Sequence, residues 1–498
     1  MLAVALRGSG WMLSLALVAM PVMAADKLSP EVRLAAAAGR PVEVLITVAG
    51  DAGLARTPPA GEHAQKVATA GQRLRDTAAR AQAGLLEDLE SRAIEHRAFW
   101  VANVVWARAG LAELERIAGR DDVLRIDGNP VVRNRLPQPE AGSQAPDVPN
   151  ATEWGVNKVR APEVWATGVT GQGVVIGGQD TGYQWDHPAL RAKYRGWNGT
   201  TADHNYNWHD AIHALVNGGV NDCGLDSPVP CDDHNHGTHT MGTMVGDDGG
   251  NNQVGVAPGA RWIGCRNMEA GDGTPATYLE CFQWFMAPTD LAGQNPDPAR
   301  APHVINNSWG CPPSEGCTVS VLESAVDNLR AAGVMVVVSA GNNGSSCGSV
   351  QDPPAIYARS FSVGNTTSVD SIAGSSSRGP VTIDGSNRLK PDVSAPGSSI
   401  RSSIRGGGYA NFSGTSMAGP HVAAAAALVM SARPDLRGNP AAVESVLRET
   451  AVPLTSTQTC GLYAGSTVPN AVFGSGRIDA YAAVSRVSSD PIFVDGTE

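Results

Sequence analysis

Five glycine-punctuated apolar runs recur between residues 173 and 367. They read GVVIGGQDTG, ARWIGCRNM, HVINNSWG, GVMVVVSAGN and SFSVGNTT, and stretches with helical spacing separate them. Strands that are apolar throughout, rather than at alternate positions, are typical of a parallel sheet that helices cover on both faces. The sequence therefore predicts an α/β fold with three layers and a mostly parallel central sheet.

Polar residues stand directly after three of these runs. Asp180, Asn306 and Asn342 each follow an apolar stretch. In open parallel sheets, ligands bind at the carboxyl ends of the strands. These positions are therefore the first candidates for a functional site.

The region before the predicted sheet has a different residue pattern, with charged segments that are helix-like or strand-like. We predict a strand at 41–50, a helix at 62–95, a strand at 98–107, a helix at 111–119 and a strand–turn–strand at 123–133. Together these elements predict a small α+β unit. The proline-rich and polar stretch 135–150 then reads as a linker.

The amino terminus has the pattern of a secretory signal. Arg7 precedes the apolar run 11–22, which ends in Val22-Met23-Ala24. This run is shorter than the roughly 20 residues that span a bilayer, so we expect a cleaved signal at 1–24 and no membrane insertion. The predicted location is secreted or periplasmic.

All eight cysteines lie beyond residue 220, which suits disulfides in an exported chain. Cys223 with Cys231, and Cys311 with Cys317, are close enough in sequence to close single loops. The remaining four have no pairing that the sequence favours: Cys265, Cys281, Cys347 and Cys460. The formal net charge of −11 argues against nucleic acid or an anionic membrane as the main partner.

Four polar residues could form an acyl-transfer site. A serine hydroxyl needs a histidine to take its proton, a carboxylate to fix that imidazole and a donor for the oxyanion. Asp180 in QDTG, His236 in HNHGTHT, Asn342 in SAGNNG and Ser416 in FSGTSMAGPHV supply one of each. Each residue alone is common at helix starts and loops, so only the combination predicts a site.

The motifs DTG, HGTHT, SAGN and GTSMAGPH, in this order, resemble those of the subtilisin-like serine proteases, for which the order Asp, His, Ser is known. The resemblance runs from about Glu153 to Val484. EWGVNKVRAPEVW, HPALRAKYRGWN, NNSWG and GSGRIDAYAAV are similar to the bacillopeptidase F branch of the family. The stretch 41–133 resembles the family's inhibitory propeptide, a small ferredoxin-like α+β domain.

The resemblance implies an exported serine endopeptidase that is made as a self-processed zymogen, has broad specificity and is a monomer. Its partners would be polypeptide substrates and its own propeptide. The implied boundaries are a signal peptide at 1–24, a propeptide at 25–133, a linker with the maturation site at 134–153, a catalytic domain at 154–484 and a tail at 485–498.

Residue roles follow from the same resemblance. Asp180 would orient the imidazole, His236 would act as general base and then acid, and Ser416 would be the nucleophile. The oxyanion hole would consist of the Asn342 side chain and the Ser416 backbone N–H. The implied substrate-binding residues are Ser308, Trp309, Gly310 and Gly341, which would pair with an extended peptide, and the Trp309 ring would offer apolar contact.

No cofactor is expected for catalysis. The loop GDDGGNNQVG (246–255) offers oxygen donors for a structural calcium, namely Asp247, Asp248, Asn251 and Asn252, and a solvated turn is the alternative. The donors His209, His213 and His234 lie near Cys223 and Cys231, but a disulfide explains these cysteines more simply than zinc. We assign no metal ligand.

Two other classes of protein compete with this interpretation. An α/β-hydrolase elbow would need a glycine at Ala418 and a separate downstream histidine, whereas only His421 follows Ser416. A non-catalytic exported binding protein on the same scaffold stays open, because a fold does not prove activity. His239 is expected to pack locally, since one imidazole suffices for catalysis.

Overall fold

Two packed units make up the part of the chain that the computed structural model describes, namely residues 27–141, 151–216, 218 and 221–489. The predicted signal peptide at 1–24 lies outside these residues, and so does the predicted tail beyond Ser489. In the described ranges, no helix combines the length and apolar character needed to cross a bilayer.

The smaller, amino-terminal unit is a four-stranded antiparallel sheet with three helices. Its elements are the helix Pro30–Ala36, the strand Val42–Val48, the helix His63–Ser91, the strands His96–Phe99 and Val104–Ala109, the helix Leu111–Ala118 and the strand Val123–Gly128. The first of these strands lies between the third and the fourth, and the second is at one edge. This order confirms the predicted ferredoxin-like α+β arrangement.

Two local predictions for this unit are wrong. The single strand expected at 98–107 is divided by a turn that includes Asn103, whose φ of 53° is left-handed, a conformation that asparagine tolerates better than most residues. The turn expected at Asp127-Gly128 is absent, because both residues continue a strand. Val132–Arg133 instead pairs with Asp272–Gly273 of the larger unit.

The long helix His63–Ser91 joins the two units because its apolar stripe faces two cores. Val67 and Leu74 are buried in a cluster shared with the larger unit, whereas Leu85 and Leu89 are buried in the core of the smaller unit. The spacing of three or four residues places such side chains on one side of a helix. This one amphipathic helix therefore packs both in the core of the smaller unit and in the cluster shared with the larger unit.

Seven parallel strands form the central sheet of the larger unit. In spatial order they are Val393–Pro396, Phe361–Thr366, Met335–Ser339, Val304–Asn307, Val175–Asp180, Arg261–Arg266 and Trp208–Asp210. Every neighbouring pair is parallel. The parallel sheet predicted from the apolar runs is confirmed.

Helices cover both faces of this sheet. Met335 and Val337 point into one core and Val336 into the other, as the twofold alternation of a strand requires. The helices of the first face are His236–Val245, Thr415–Ala432, Pro440–Glu449 and Ala480–Ser489, and those of the second are Pro275–Met286 and Glu323–Ala331. Shorter elements include the helices Trp154–Lys158, Ala161–Trp165 and Pro188–Arg191 and the strands Ala151–Thr152, Asn252–Gln253, Met268–Glu269, Asp272–Gly273, Ile400–Ile404 and Gly408–Phe412.

Four disulfides join all eight cysteines. The two loop-closing pairs predicted from sequence are present, Cys223–Cys231 and Cys311–Cys317, and the others are Cys265–Cys281 and Cys347–Cys460. The last pair closes a sequence separation of 113 residues. It therefore ties the loop after the strand Met335–Ser339 to the carboxyl-terminal part of the chain.

The contact between the units also includes a stacked pair of histidines, His63 and His303. Their ring centroids are 4.4 Å apart. Burial, with a smaller contribution from the charge of nearby Lys66, lowers the pKa of His63 to about 4. Burial, then the charges of His63 and Arg437, lower the pKa of His303 to about 3. Both rings are therefore neutral in the packed state at neutral pH.

We expect acid to loosen this contact. Once exposed, each ring gains a proton below its ordinary pKa of 6.5, so the packed state loses stability as the pH falls from there towards about 4. Amide protection factors in the helix His63–Ser91, corrected for intrinsic exchange, should drop over this range in the full-length Ser416→Ala protein. His63→Phe keeps a stacking ring without a titrating nitrogen and should flatten the dependence. An equal loss of protection in both proteins would contradict the role of the pair.

Candidate active site

A buried Asp–His pair lies at the carboxyl edge of the central sheet. Asp180 ends the strand Val175–Asp180, and His236 begins the helix His236–Val245. His236 Nδ1 lies 2.7 Å from Asp180 Oδ1, and the two side chains are 0% and 1% exposed. A bond to a carboxylate places the imidazole proton on Nδ1. Nε2 is therefore free to accept a proton, and it has no hydrogen-bond partner among the described residues.

Ser416 is the second residue of the buried helix Thr415–Ala432, which packs against the helix of His236. The Ser416 hydroxyl donates to the Ser308 carbonyl at 3.1 Å, and the Ser308 hydroxyl donates to the Ser416 carbonyl at 3.0 Å. The Ser416 hydroxyl thus has a backbone acceptor and makes no hydrogen bond to His236 in this structure. Catalytic hydrogen bonds often form only when a substrate is present.

Asn342 lies in the glycine-rich turn after the strand Met335–Ser339. Its Oδ1 accepts from the backbone N of Thr415 at 2.9 Å and from the Thr415 hydroxyl at 3.0 Å. These bonds orient the amide so that its Nδ2 remains available to donate. The preceding Gly341 has φ 104°, a left-handed conformation that suits glycine. The turn therefore holds an amide donor beside the start of the Ser416 helix.

The predicted substrate-binding segment Ser308-Trp309-Gly310 directly follows the strand Val304–Asn307. The Trp309 ring stacks on Tyr278, with centroids 4.0 Å apart, and its Nε1 donates to the Gln179 carbonyl at 3.1 Å. Trp309 is only 4% exposed. The ring therefore packs mainly in the core, and apolar contact between it and a substrate stays a prediction.

A cleft of about 700 Å³ opens beside Ser416. The residues that line it include Ser308, Trp309, Gly310, Glu315, Ser339, Gly341, Asn342, Asn343, Asp352, Thr415 and Ser416. The structure thus brings together the predicted nucleophile, the predicted oxyanion donor and all four predicted substrate-binding residues. Asp180 and His236 do not line this cleft.

Residues 132–137, here called the cleft segment, lie across this opening. Val132 and Arg133 pair antiparallel with Gly273 and Asp272. Asn134 Oδ1 accepts from the Gly310 backbone N at 3.2 Å. Arg133 through Pro137 also line the cleft. Residues 132 and 133, which the sequence predicts as strand, are therefore seated as an added strand, and residues 135–137 of the predicted linker continue along the cleft.

The chain remains attached to the larger unit beyond the cleft segment. Gln138 Nε2 lies 2.8 Å from His234 Nε2, and Glu140 N donates to the Asn411 carbonyl at 2.9 Å. The Glu140 carboxylate accepts from the Ser413 hydroxyl at 2.5 Å. The chain therefore contacts the larger unit through Gln138 and Glu140 as well as through the cleft segment.

The donors considered for zinc have other partners. His209 and His213 both bond to Glu280, at 2.8 and 2.7 Å, and Cys223 is in a disulfide with Cys231. Within the described residues, no group of three or more His, Cys, Asp or Glu side chains is placed to hold a metal ion.

The loop considered for calcium binds its own backbone. Asp247 accepts from Gly249 N at 2.9 Å, and Asp248 accepts from Gly250 N at 2.9 Å. A structural calcium at this loop stays a prediction.

His239 is a buried packing residue, as expected. Its Nε2 lies 2.9 Å from the Ile400 carbonyl and 3.1 Å from the Ala410 carbonyl, and its ring stacks on Phe412. Burial, then the nearby His236, lower its pKa to about 3. Its backbone contacts and low pKa leave it no part in proton transfer at neutral pH.

Sequence reasoning missed two parts of the site. One is the edge Asp272–Gly273, which pairs with the cleft segment, and the other is Asp352, which lies on the cleft wall. Asp352 stands in a loop with no motif of its own. Both depend on contacts between distant parts of the chain, which local patterns do not reveal.

The topology of the sheet and the placement of Asp180, His236 and Ser416 around it assign the larger unit to the subtilisin-like α/β proteins. A family model described as the subtilase family matches residues 171–476. The chain belongs to this family of serine endopeptidases.

Several relatives support this assignment. Bacillopeptidase F of Bacillus subtilis is 35% identical over 442 residues, which is 85% of this chain but only 29% of that protein. Subtilisin Savinase of Lederbergia lenta is 31% identical over 66% of this chain and 97% of its own length. The alkaline protease of Alkalihalobacillus alcalophilus is 30% identical over 73% of this chain and 77% of its own length.

Proposed function

We propose that this protein is an exported serine endopeptidase with Asp180, His236 and Ser416 as its catalytic triad. The observation that carries the proposal is the buried 2.7 Å bond between His236 and Asp180. It leaves the imidazole Nε2 without a partner among the described residues, on a helix that packs against the helix of Ser416. Membership of the subtilase family supports the same activity.

In this mechanism, His236 Nε2 takes the proton of the Ser416 hydroxyl as Oγ attacks the carbonyl carbon of the scissile peptide bond. The hydroxyl must first leave its present acceptor, the Ser308 carbonyl. Asp180 stabilises the imidazolium, which then gives its proton to the leaving amine. A water molecule activated by His236 hydrolyses the acyl-enzyme and frees Ser416.

The developing oxyanion would accept hydrogen bonds from Asn342 Nδ2 and from the Ser416 backbone N–H. Thr415 holds the other end of the amide through Oδ1, so the donor is oriented before substrate binds. The amino-terminal end of the helix Thr415–Ala432 adds a positive partial charge at the same place. Donors that need no reorientation are the usual source of such stabilisation.

Substrates would bind as an added strand. The cleft segment pairs with Asp272–Gly273 and reaches Gly310 N, which supports a main-chain mode of recognition. Because main-chain bonds do not depend on side-chain identity, this mode favours broad specificity at the positions where it operates.

The amino-terminal unit would act as an inhibitory and chaperoning propeptide, and maturation would occur within 134–153. The position of the cleft segment beside Ser416 supports this idea, since no substrate strand can pair with Asp272–Gly273 while it is seated. Four disulfides and the predicted signal support a secreted or periplasmic location. We further propose a monomer that needs no cofactor for catalysis.

The activity is tested by labelling the matured protein with a fluorophosphonate probe and mapping the adduct by peptide mass spectrometry. We expect the adduct on Ser416 and hydrolysis of casein. Ser431→Ala, which alters a serine of the same helix, should be labelled as the wild type is. A protein that is not labelled at Ser416 and leaves casein uncut would be a non-catalytic member of the fold.

Self-processing predicts that Ser416→Ala accumulates as a precursor that begins near Ala25. The variant keeps the fold but lacks the nucleophile, so purified precursor should persist for as long as wild type needs to mature completely. Intact mass measurement follows the conversion. Maturation of the purified variant at the wild-type rate would show that another protease makes the cut.

Asn342→Leu should lower kcat about 10²–10³-fold, the range known for the oxyanion asparagine of subtilisin, with little change in KM. Leucine is similar in size but cannot donate to the oxyanion. Asn198→Ala, on an exposed loop, is the control and should retain wild-type kinetics. Steady-state assays with a peptide substrate measure both constants, and a loss confined to KM would contradict the assigned role.

A further inference from the structure

A recess in the wall of the cleft lies between two segments that both contact the start of the Ser416 helix. One segment is Ser308–Gly310, whose Ser308 carbonyl accepts from Ser416, and the other is 341–343, whose Asn342 accepts from Thr415. Because of these contacts, the recess is next to the carbonyl group that Ser416 would attack. It is therefore placed for the side chain of the substrate residue that carries that carbonyl.

The Asp352 carboxylate lies between the two glycines that flank this recess. A Cβ added to Gly310 would be 3.2 Å from Asp352 Cβ, and one added to Gly341 would be 3.9 Å from Asp352 Oδ2. Glycine at both positions therefore leaves the carboxylate accessible from the cleft.

Asp352 has no cationic partner among the residues that the structure describes. Its Oδ2 accepts from Asn343 Nδ2 at 3.0 Å, and no ion pair joins it to a described residue. Burial raises the pKa of its carboxyl to about 6, the Asn343 bond opposes this rise, and the charge of Glu315 adds to it. A carboxylate that is costly to ionise in the empty cleft is stabilised when a cation arrives.

Two further polar groups line the same cleft. Ser339 is only 6% exposed, and its hydroxyl has no hydrogen-bond partner in the described part of the chain. Glu315 adds a second negative charge on the cleft wall, and its carboxylate accepts from Arg133 N at 2.6 Å. A guanidinium or ammonium group bound here would therefore meet negative charge and the Ser339 hydroxyl, a buried acceptor.

We propose that this recess binds the arginine or lysine side chain of the substrate residue whose carbonyl Ser416 attacks, with Asp352 as the specificity-determining residue. The proposal rests on the proposed endopeptidase function and names its substrate class. A carboxylate in the pocket for that residue is an established physical basis for selecting basic side chains. Main-chain pairing then sets the orientation of the substrate, and Asp352 sets the position of the cut.

The cleft segment itself contains two basic residues. Arg133 and Arg135 line the same cleft as Asp352, and Arg135 is exposed. The bond after Arg135 falls within the predicted maturation region, 134–153. The chain therefore carries a bond of the proposed class within the cleft that Ser416 also lines.

Three internally quenched peptides that differ only at the residue before the cut, with arginine, leucine or glutamate there, test the proposal. Matured wild type should cleave the arginine peptide at least about tenfold faster in kcat/KM than the leucine peptide. Asp352→Asn should lower kcat/KM for the arginine peptide about 100-fold, as loss of one partner of a buried charge pair does. The same substitution should change kcat/KM for the leucine peptide by no more than about threefold. Asp290→Asn, which removes a half-buried charge that does not line the cleft, should change neither value.

Benzamidine provides a readout that does not depend on cleavage after arginine. It should inhibit hydrolysis of the leucine peptide by wild type and lose at least about tenfold in affinity in Asp352→Asn. If Ser416 is labelled but the leucine peptide is cleaved as fast as the arginine peptide or faster, the recess proposal is overturned and the endopeptidase function stands. An equal loss on both peptides in Asp352→Asn would also overturn it. No cleavage of any peptide and no labelling of Ser416 would overturn the endopeptidase function as well.

Discussion

The burial of one helix, Thr415–Ala432, is the constraint on which the rest of the structure depends. Every residue from Thr415 to Met430 is buried, so this helix has no solvent face. A run of five alanines, 423–427, keeps its surface small enough to pack closely against both the sheet and the helix His236–Val245. Because the helix cannot shift without opening the core, its first turn is fixed, and with it the position of Ser416 relative to Asn342 and Ser308.

The layers of the fold were predictable because their signals are local. Continuous apolar runs predict the parallel sheet, and polar residues after them predict where Asp180 and Asn342 lie. The pairing of Cys311 with Cys317 was also predictable, because six positions separate them. The orientation of Trp309 was not, since motif position says nothing of which way a ring packs.

Contacts that join distant parts of the chain were not predictable from sequence. The pairing of Arg133 with Asp272 and the approach of Asp352 to Gly310 depend on the finished fold. Main-chain pairing and a charged recess recognise different properties of a peptide. The first accepts any extended backbone, and the second discriminates by the charge of a single side chain. An enzyme of this design would therefore tolerate many sequences around the cut while restricting the residue at it.

Because the two units share an apolar core, cleavage of the chain between them and the onset of activity would be separate events. Val67 and Leu74 of the long helix lie in the same cluster as Leu279 and Phe282 of the larger unit. Cutting the backbone between the units would remove none of these contacts, so under the proposed propeptide role the severed amino-terminal unit would stay bound as a non-covalent inhibitor. The delay between synthesis and activity would then be a residence time, governed by the rate at which that unit dissociates or is degraded.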